Sequence, residues 1–225
     1  MKHPLGKRLL TAARFVRQGA YFADIGTDHA YLPLFLLSEG IIERAVCADI
    51  NEGPLNSAKK NAEEQGFSDK ILFRLTDGAA ALSGLGITDY AICGMGGELI
   101  ARIIDSAPHL KADGIRLILQ PMTRQAHLRE YLAKSGFRII DEGYSAECSR
   151  YYLTILCEYD GVCRNISDFE AELGNPPPRA SFSPEMKGYF DAKLRSLKKI
   201  ATAKRTAGEA DNTEEKILLE YERRM

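Results

Sequence analysis

The chain has 225 residues, enough for one well-cored domain with an appendage and too few for three independent domains. Its 45% hydrophobic and 27% charged residues are ordinary globular usage and exclude wholesale disorder. Lys+Arg total 30 against 31 for Asp+Glu, a formal charge of −1 that, as a whole-chain sum, argues against a nucleic-acid partner.

Charged residues interrupt every apolar run before the ~18–20 residues that a membrane span needs. Lys2, Lys7 and Arg8 are not followed by the apolar block of a secretory signal. Cys47, Cys93, Cys148, Cys157 and Cys163 form no Cys-x-x-Cys pair and sit in apolar or β-rich surroundings. The expectation is a reduced, cytoplasmic protein with buried free thiols, no disulfide and no metal site.

Residues 5–18 predict a short amphipathic helix, with Leu5, Leu9, Ala12 and Val16 on one face and Lys7, Arg14 and Arg17 opposite. Tyr21-Phe22-Ala23-Asp24-Ile25-Gly26 then reads as a buried strand ending in a turn, 30–37 as a helix and 44–50 as a second strand. A helix over 53–64 stops at Gly66. Strands follow at Ile71–Leu75, 90–93 and 115–119, with helices at 98–105 and Gln125–Lys134, and two last strands at 136–140 and 151–159. This alternation predicts right-handed βαβ crossovers and an α/β fold with a mostly parallel sheet. The short link over 141–150 suits a hairpin, so the seventh strand is expected to be antiparallel.

Composition changes after Gly161. Ser167-Asp168-Phe169-Glu170 has the form of a capping box, and Gly174-Asn175-Pro176-Pro177-Pro178 ends the helix it opens. Ser183-Pro184 starts another, with Phe190, Leu194, Leu197 and Ala201 on one stripe. Leu218, Tyr221 and Met225 form a second stripe. The two fit an antiparallel helical hairpin with a coiled-coil-like seam, the alternative being solvated helices. The expected division is residues 1–160 and 161–225.

Parallel sheets bind ligands at the carboxyl ends of their strands, beside the first strand–helix turn. Here that turn is Asp24-Ile25-Gly26-Thr27-Asp28-His29-Ala30-Tyr31-Leu32-Pro33, which lacks the G-x-G-x-x-G fingerprint. Asp28 stands where a pyrophosphate would need a glycine, which counts against NAD or FAD and is compatible with a cationic, phosphate-free cofactor. Asp49 ends the second strand, where an acid either accepts from ribose hydroxyls or caps the next helix. Asp77-Gly78 follows the third strand and Cys93-Gly94-Met95-Gly96-Gly97 the fourth. The glycines serve either a tight turn or close approach to a ligand. All four features fall on one edge of the predicted sheet.

The segments Asp24–Pro33, Ala48-Asp49-Ile50-Asn51-Glu52-Gly53-Pro54-Leu55, Gly94-Met95-Gly96-Gly97 and Leu119-Gln120-Pro121 together resemble the bacterial TrmK family. These are S-adenosylmethionine-dependent enzymes that methylate N1 of adenine 22 in tRNA. The resemblance implies a class I Rossmann-like methyltransferase sheet followed by a small helical domain. It assigns Asp24, Gly26, Asp28, Asp49, Ile50, Asp77, Gly78, Gly94 and Met95 to the cofactor, and Gly96, Gly97, Gln120 and Pro121 to the substrate side. Met122 stands where the family commonly has Asn, and it lacks that amide's donor and acceptor.

Adenine N1 carries its own lone pair, so positioning matters more than a strong base. Asp28 is the first candidate for stabilising the developing cation, and His29 either relays a proton or is packed in its loop. A base in folded tRNA must be exposed to react, and Tyr151 or Tyr152 either stacks on it or packs within the sheet. The alternatives are a methyltransferase for a small molecule or protein, a Rossmann oxidoreductase, and a non-catalytic adaptor.

The charge is segregated. Residues 1–23 carry Lys2, Lys7, Arg8, Arg14 and Arg17 with no acid, a net +5, and residues 187–205 carry a net +6, leaving −12 elsewhere. Lys7, Arg8, Arg14, Lys198 and Lys199 are therefore candidate tRNA phosphate contacts, or else a solvated helix face. A monomer acting on tRNA, without membrane or metal, is the resulting expectation.

Overall fold

A computed structural model describes residues 5–209 and 212–224, so Lys2 and Met225 lie outside the described residues. The apolar runs become strands because both of their faces find cover. β1 (Tyr21–Ile25), β2 (Arg44–Asp49), β3 (Ile71–Leu75), β4 (Asp89–Gly96), β5 (Arg116–Thr123), β6 (Phe137–Glu147) and β7 (Arg150–Tyr159) form one sheet in the order β3-β2-β1-β4-β5-β7-β6. The pairs from β3 through β5 are parallel, and β7 runs antiparallel to both β5 and β6.

Neighbouring strand residues point to opposite faces. Phe22, Ala45, Cys47, Ala91 and Ile118 enter one core layer, with α1 (Lys7–Ala13), α2 (Tyr31–Ser38) and α3 (Glu52–Glu64) over it. Ala23, Val46, Tyr90, Ile92, Leu117 and Leu119 enter the other. That layer is closed by α4 (Gly97–Asp105), α5 (Gln125–Lys134), α6 (Asp168–Leu173), α7 (Pro184–Thr206) and α8 (Thr213–Arg224). Phe22 and Phe190 are fully buried in these layers, each contributing about 1.5–3 kcal/mol.

The capping box of α6 forms, with Ser167 accepting from the Glu170 amide and Glu170 from the Ser167 amide. Ser183 caps α7 through the Met186 amide. Phe190, Leu197, Ala201 and Tyr221 are buried. Ile217 joins them, and Phe190, Leu197, Ile217 and Tyr221 share one core with β4, β5 and β7.

Several elements differ from their expected bounds. The first helix ends at Ala13, and Arg17 turns inward instead of facing solvent. Its guanidinium donates to Asp89 (Nε–Oδ1, 2.8 Å) and to the Thr88 and Gly114 carbonyls, and its amide donates to Asp89. Asp89 is fully buried, so this fork satisfies a charge that has no access to water. Arg17→Lys keeps the charge but loses the fork. We expect a destabilisation of about 2 kcal/mol, read as a lower urea midpoint at unchanged slope.

The strands β4 and β5 run past the Gly and Pro that seemed to end them. A bulge at 93–96 opposite Pro121 removes the need for the missing proline amide. β6 and β7 likewise absorb the expected ten-residue link, with Asp141 to Glu147 in strand and only Cys148-Ser149 in the turn. Both turn residues have positive φ (49° and 60°), the geometry of a tight two-residue hairpin. Cys148 is consequently exposed, as is Cys163 beyond β7. Burial therefore holds for Cys47 and Cys157 but not for all five thiols.

Candidate active site

The strand order reverses between β1 and β4, and the loops after β1, β2, β4 and β5 meet at that point. Gly26 takes φ +76° after β1, and its amide and that of Thr27 both donate to the Ala48 carbonyl (2.8 and 3.0 Å). The Met95 side chain from β4 lies against Gly26 where a Cβ would otherwise stand. Asp24 is buried just below this turn, and burial pushes its carboxyl up to about 6 against the downward pull of Thr27 and the Arg8 cation.

Asp49 is half-buried at the end of β2. Its Oδ1 accepts from the Asn51 amide at 2.7 Å, which steadies the start of α3, and its charge is felt at Asp24. Asp49 does not cap α3, whose N-cap is Asn51 without a side-chain cap bond; its carboxylate closes the turn just before the helix. Ile50 beside it is 60% exposed, an apolar surface flanking a carboxylate. Asp77 is exposed and Gly78 half-buried after β3, further towards the sheet edge.

Gly94 bulges out of β4 with φ +81° and points its amide at Gln120 Oε1 (3.0 Å). Arg8 Nη1 donates to the same oxygen at 2.8 Å. Gln120 and Pro121 are both buried, so they shape the floor of the site through Gly94 and Arg8 and offer little surface to a ligand. Gln120 Nε2 rests on Met122 Sδ at 3.5 Å. Asp24 and Gln120 lie on the α1 side of the sheet by strand alternation, which is why a helix before β1 reaches them. Burial pushes the neighbouring Cys93 thiol up to about 12, so it is no thiolate nucleophile.

Other candidates sit elsewhere. Asp28 is 74% exposed and lies 3.4 Å from His29, whose ring stacks on Tyr31 (centroids 5.0 Å apart). This pair is at the rim, where water screens its charge. Gly96 caps the start of α4. Gly97 is buried against the Arg124 carbonyl and Leu128, so its missing Cβ serves α4–α5 packing and presents no face to a substrate. The Tyr151 ring lies against Gly188 of α7, which occupies one side of it. Lys7 and Arg14 are exposed on α1, but Arg8 is turned inward. Lys198 and Lys199 are exposed on α7, about 15 Å along the helix from Gly188. The α7 charge is partly matched, because Lys193, Lys204 and Arg205 pair with Glu172, Glu214 and Glu215.

The inward turn of Arg8 is the feature that sequence reasoning missed. Its spacing in α1 places it off the basic face shared by Lys7 and Arg14, the one signal that was available.

A seven-stranded sheet with an antiparallel final hairpin and acids at the ends of β1 and β2 defines a class I methyltransferase, and a family model described as "Methyltransferase domain" matches residues 5–155. The tRNA (adenine(22)-N(1))-methyltransferase of Bacillus subtilis (strain 168) is 36% identical over 165 residues, 70% of this chain and 69% of that one. The chain belongs to the tRNA (adenine(22)-N(1))-methyltransferase family. A Streptococcus pneumoniae structure described as a candidate tRNA methyltransferase of this specificity, in complex with S-adenosyl-L-methionine, superposes with a TM-score of 0.81 at 33% identity, covering 96% of this chain and all of that one. The Mycoplasma capricolum TrmK structure with S-adenosyl-homocysteine gives 0.72 at 27% identity, covering 98% and 95%.

Proposed function

We propose that this protein transfers a methyl group from S-adenosylmethionine to N1 of adenine 22 in tRNA. The observation that carries the reading is the convergence of Asp24, Asp49, Ile50, Gly94 and Gln120 on one sheet edge, in a chain 36% identical to an enzyme of that activity.

The residues suit this cofactor chemically. A buried carboxyl at Asp24, costly to ionise alone, favours a ligand that brings positive charge. The remaining Asp49 oxygen suits a ribose hydroxyl, with Ile50 as an apolar wall for adenine and Asp77-Gly78 as the polar end of that wall. S-adenosylmethionine, when bound, supplies a methyl already activated by its sulfonium, so no strong base is required. The chain's task is orientation. Gly94 and Met95 border the cofactor, and the Gly94 bulge, tied to Gln120 and braced by Arg8, fixes the ledge on which the base would lie. Asp28 and His29 at the rim are placed to accept a proton from the modified base or to face its new charge. Tyr151, Lys7, Arg14, Lys198 and Lys199 are the remaining candidate RNA contacts. Among the described residues no helix is long and apolar enough to cross a membrane, and a cytoplasmic site of action alongside tRNA fits that.

S-adenosylmethionine should raise the melting temperature and NAD should not. Nucleoside mass spectrometry of a tRNA transcript after incubation should show N1-methyladenosine. Methylation of a small molecule or protein with tRNA untouched would overturn the assignment.

A further inference from the structure

We propose that the cavity enclosed by α1, α2, the β6–β7 hairpin and the start of α7 is a second substrate subsite, holding a nucleotide that neighbours the target adenine. This rests on the tRNA reading above and extends it to a surface separate from the cofactor loop.

The cavity is about 710 Å³ and open on one side, a size that accommodates a nucleotide. It is lined by the apolar side chains of Leu10, Phe35 and Met186 together with the cations Lys7 and Arg14. Both cations are exposed, and Leu10 is 36% exposed although it is a large aliphatic. The acids that also line the space are engaged. Glu142 is held by Arg129 and Tyr144, and Glu185 is held by its own helix start, with Ser183 and Lys7 lowering it further. The Ser145 hydroxyl from β6 lines the same space, buried and without a hydrogen-bond partner among the described residues. Exposed positive charge beside apolar side chains is the combination that grips a phosphate and stacks its base.

The cavity and the active site lie on either side of α1. Helical geometry turns Arg8 towards Gln120 while Lys7, Leu10 and Arg14 face the other way, so one short helix borders both spaces. On α2, Tyr31 precedes Phe35 by one turn and shares its side. Tyr31 is 43% exposed and stacks on His29, next to Asp28 of the cofactor loop. An aromatic line from His29 through Tyr31 to Phe35 therefore leads from the rim of the active site to the cavity.

The probe is an unmodified tRNA transcript, compared with transcripts carrying an abasic nucleotide on one or other side of the target adenine. Replacing Lys7 and Arg14 together by Gln should raise the tRNA KM about tenfold and flatten its salt dependence by about 1.5 in log–log slope. Cofactor affinity and melting temperature should stay as in wild type. On wild-type protein one of the abasic transcripts should lose about tenfold in kcat/KM, and a Leu10→Ala, Tyr31→Ala variant should lose little further on that transcript. Equal losses on both proteins, or a charge variant with wild-type KM and salt slope, would overturn the subsite while leaving tRNA methylation in place. A wild-type protein that left every transcript unmethylated would instead overturn the tRNA reading and the subsite with it.

Discussion

Asp24→Asn melts higher than wild type in the absence of cofactor and is stabilised less by S-adenosylmethionine at a given concentration. The reason is the position of one carboxyl, buried at the end of β1 and raised from 3.8 to about 6 by that burial. Below about pH 4 the group is protonated in the folded and unfolded chain alike and costs nothing. Between about pH 4 and 6 the unfolded chain ionises first, so stability falls as pH rises. Above that window the penalty is constant, at most about 3 kcal/mol for a shift of this size. Asparagine fills the same volume without the charge and should recover about 1–2 kcal/mol at pH 8, a rise of about 3–8 °C in Tm. A matched pair of melting series over pH, with the difference between variant and wild type vanishing below about pH 4, checks the sign.

The same carboxylate should be useful only when a cation arrives. Binding that requires ionised Asp24 weakens as pH falls below about 6, by up to tenfold per pH unit. Asp24→Asn should lower cofactor affinity by about ten- to a hundredfold, the worth of a charge-assisted hydrogen bond. If calorimetry found wild-type affinity in the variant, the assignment of Asp24 to the cofactor would be wrong, whatever the melting data showed.

The parallel half of the fold was legible because its signals are local. Strands such as Ile71–Leu75 and the helix Gln125–Lys134 carry their period and their stops within a few residues. The strand ends carrying Asp24, Gly26 and Asp49 were legible for the same reason, since each closes a short apolar run that the sequence shows by itself. The misread parts depend on distant partners. Asp141-Glu142-Gly143 has the composition of a loop, yet it is strand. Arg129 neutralises Glu142, and Gly143 lets Thr11 and Phe15 sit directly on the backbone. Gly94 and Pro121 read as terminators until each is seen to excuse the other across a bulge. Arg17 and Arg8 read as solvent cations, and nothing near them in sequence reveals Asp89, 72 positions away, or Gln120, 112 positions away. A residue's charge is visible in a sequence, but whether that charge is already engaged is a tertiary fact.

Arg129 shows how much such an engaged charge holds, and its removal should have the largest structural effect in the molecule. The side chain is 1% exposed. Its Nε donates to Glu142 Oε1 at 2.7 Å, and its Nη1 donates to the Ala171 and Glu172 carbonyls at 2.9 and 3.2 Å. Those carbonyls belong to the last turn of α6, where the helix has no amides left to satisfy them, so Arg129 closes the helix end and ties it to β6. Tyr144 completes Glu142 through its hydroxyl at 3.0 Å. Arg129→Met keeps most of the apolar stem but removes the donor to a largely buried Glu142 and to two helix-end carbonyls, and it should cost about 3–5 kcal/mol. Adding Glu142→Leu removes that charge and should restore about half of that loss, leaving the deficit of the carbonyls and the Tyr144 hydroxyl. The consequence for function follows from where α7 begins. Its first turns carry Glu185 and Met186 to the cavity beside α1, and Gly188 to Tyr151. Loosening α6 should therefore raise the tRNA KM of Arg129→Met, while the cofactor, which we propose to bind at the ends of β1 and β2, should keep its wild-type affinity. Urea unfolding and limited proteolysis between α6 and α7 read the first effect, and steady-state kinetics read the second. A stability loss below about 1 kcal/mol would mean that the other packing of α6 and α7 holds these helices without Arg129.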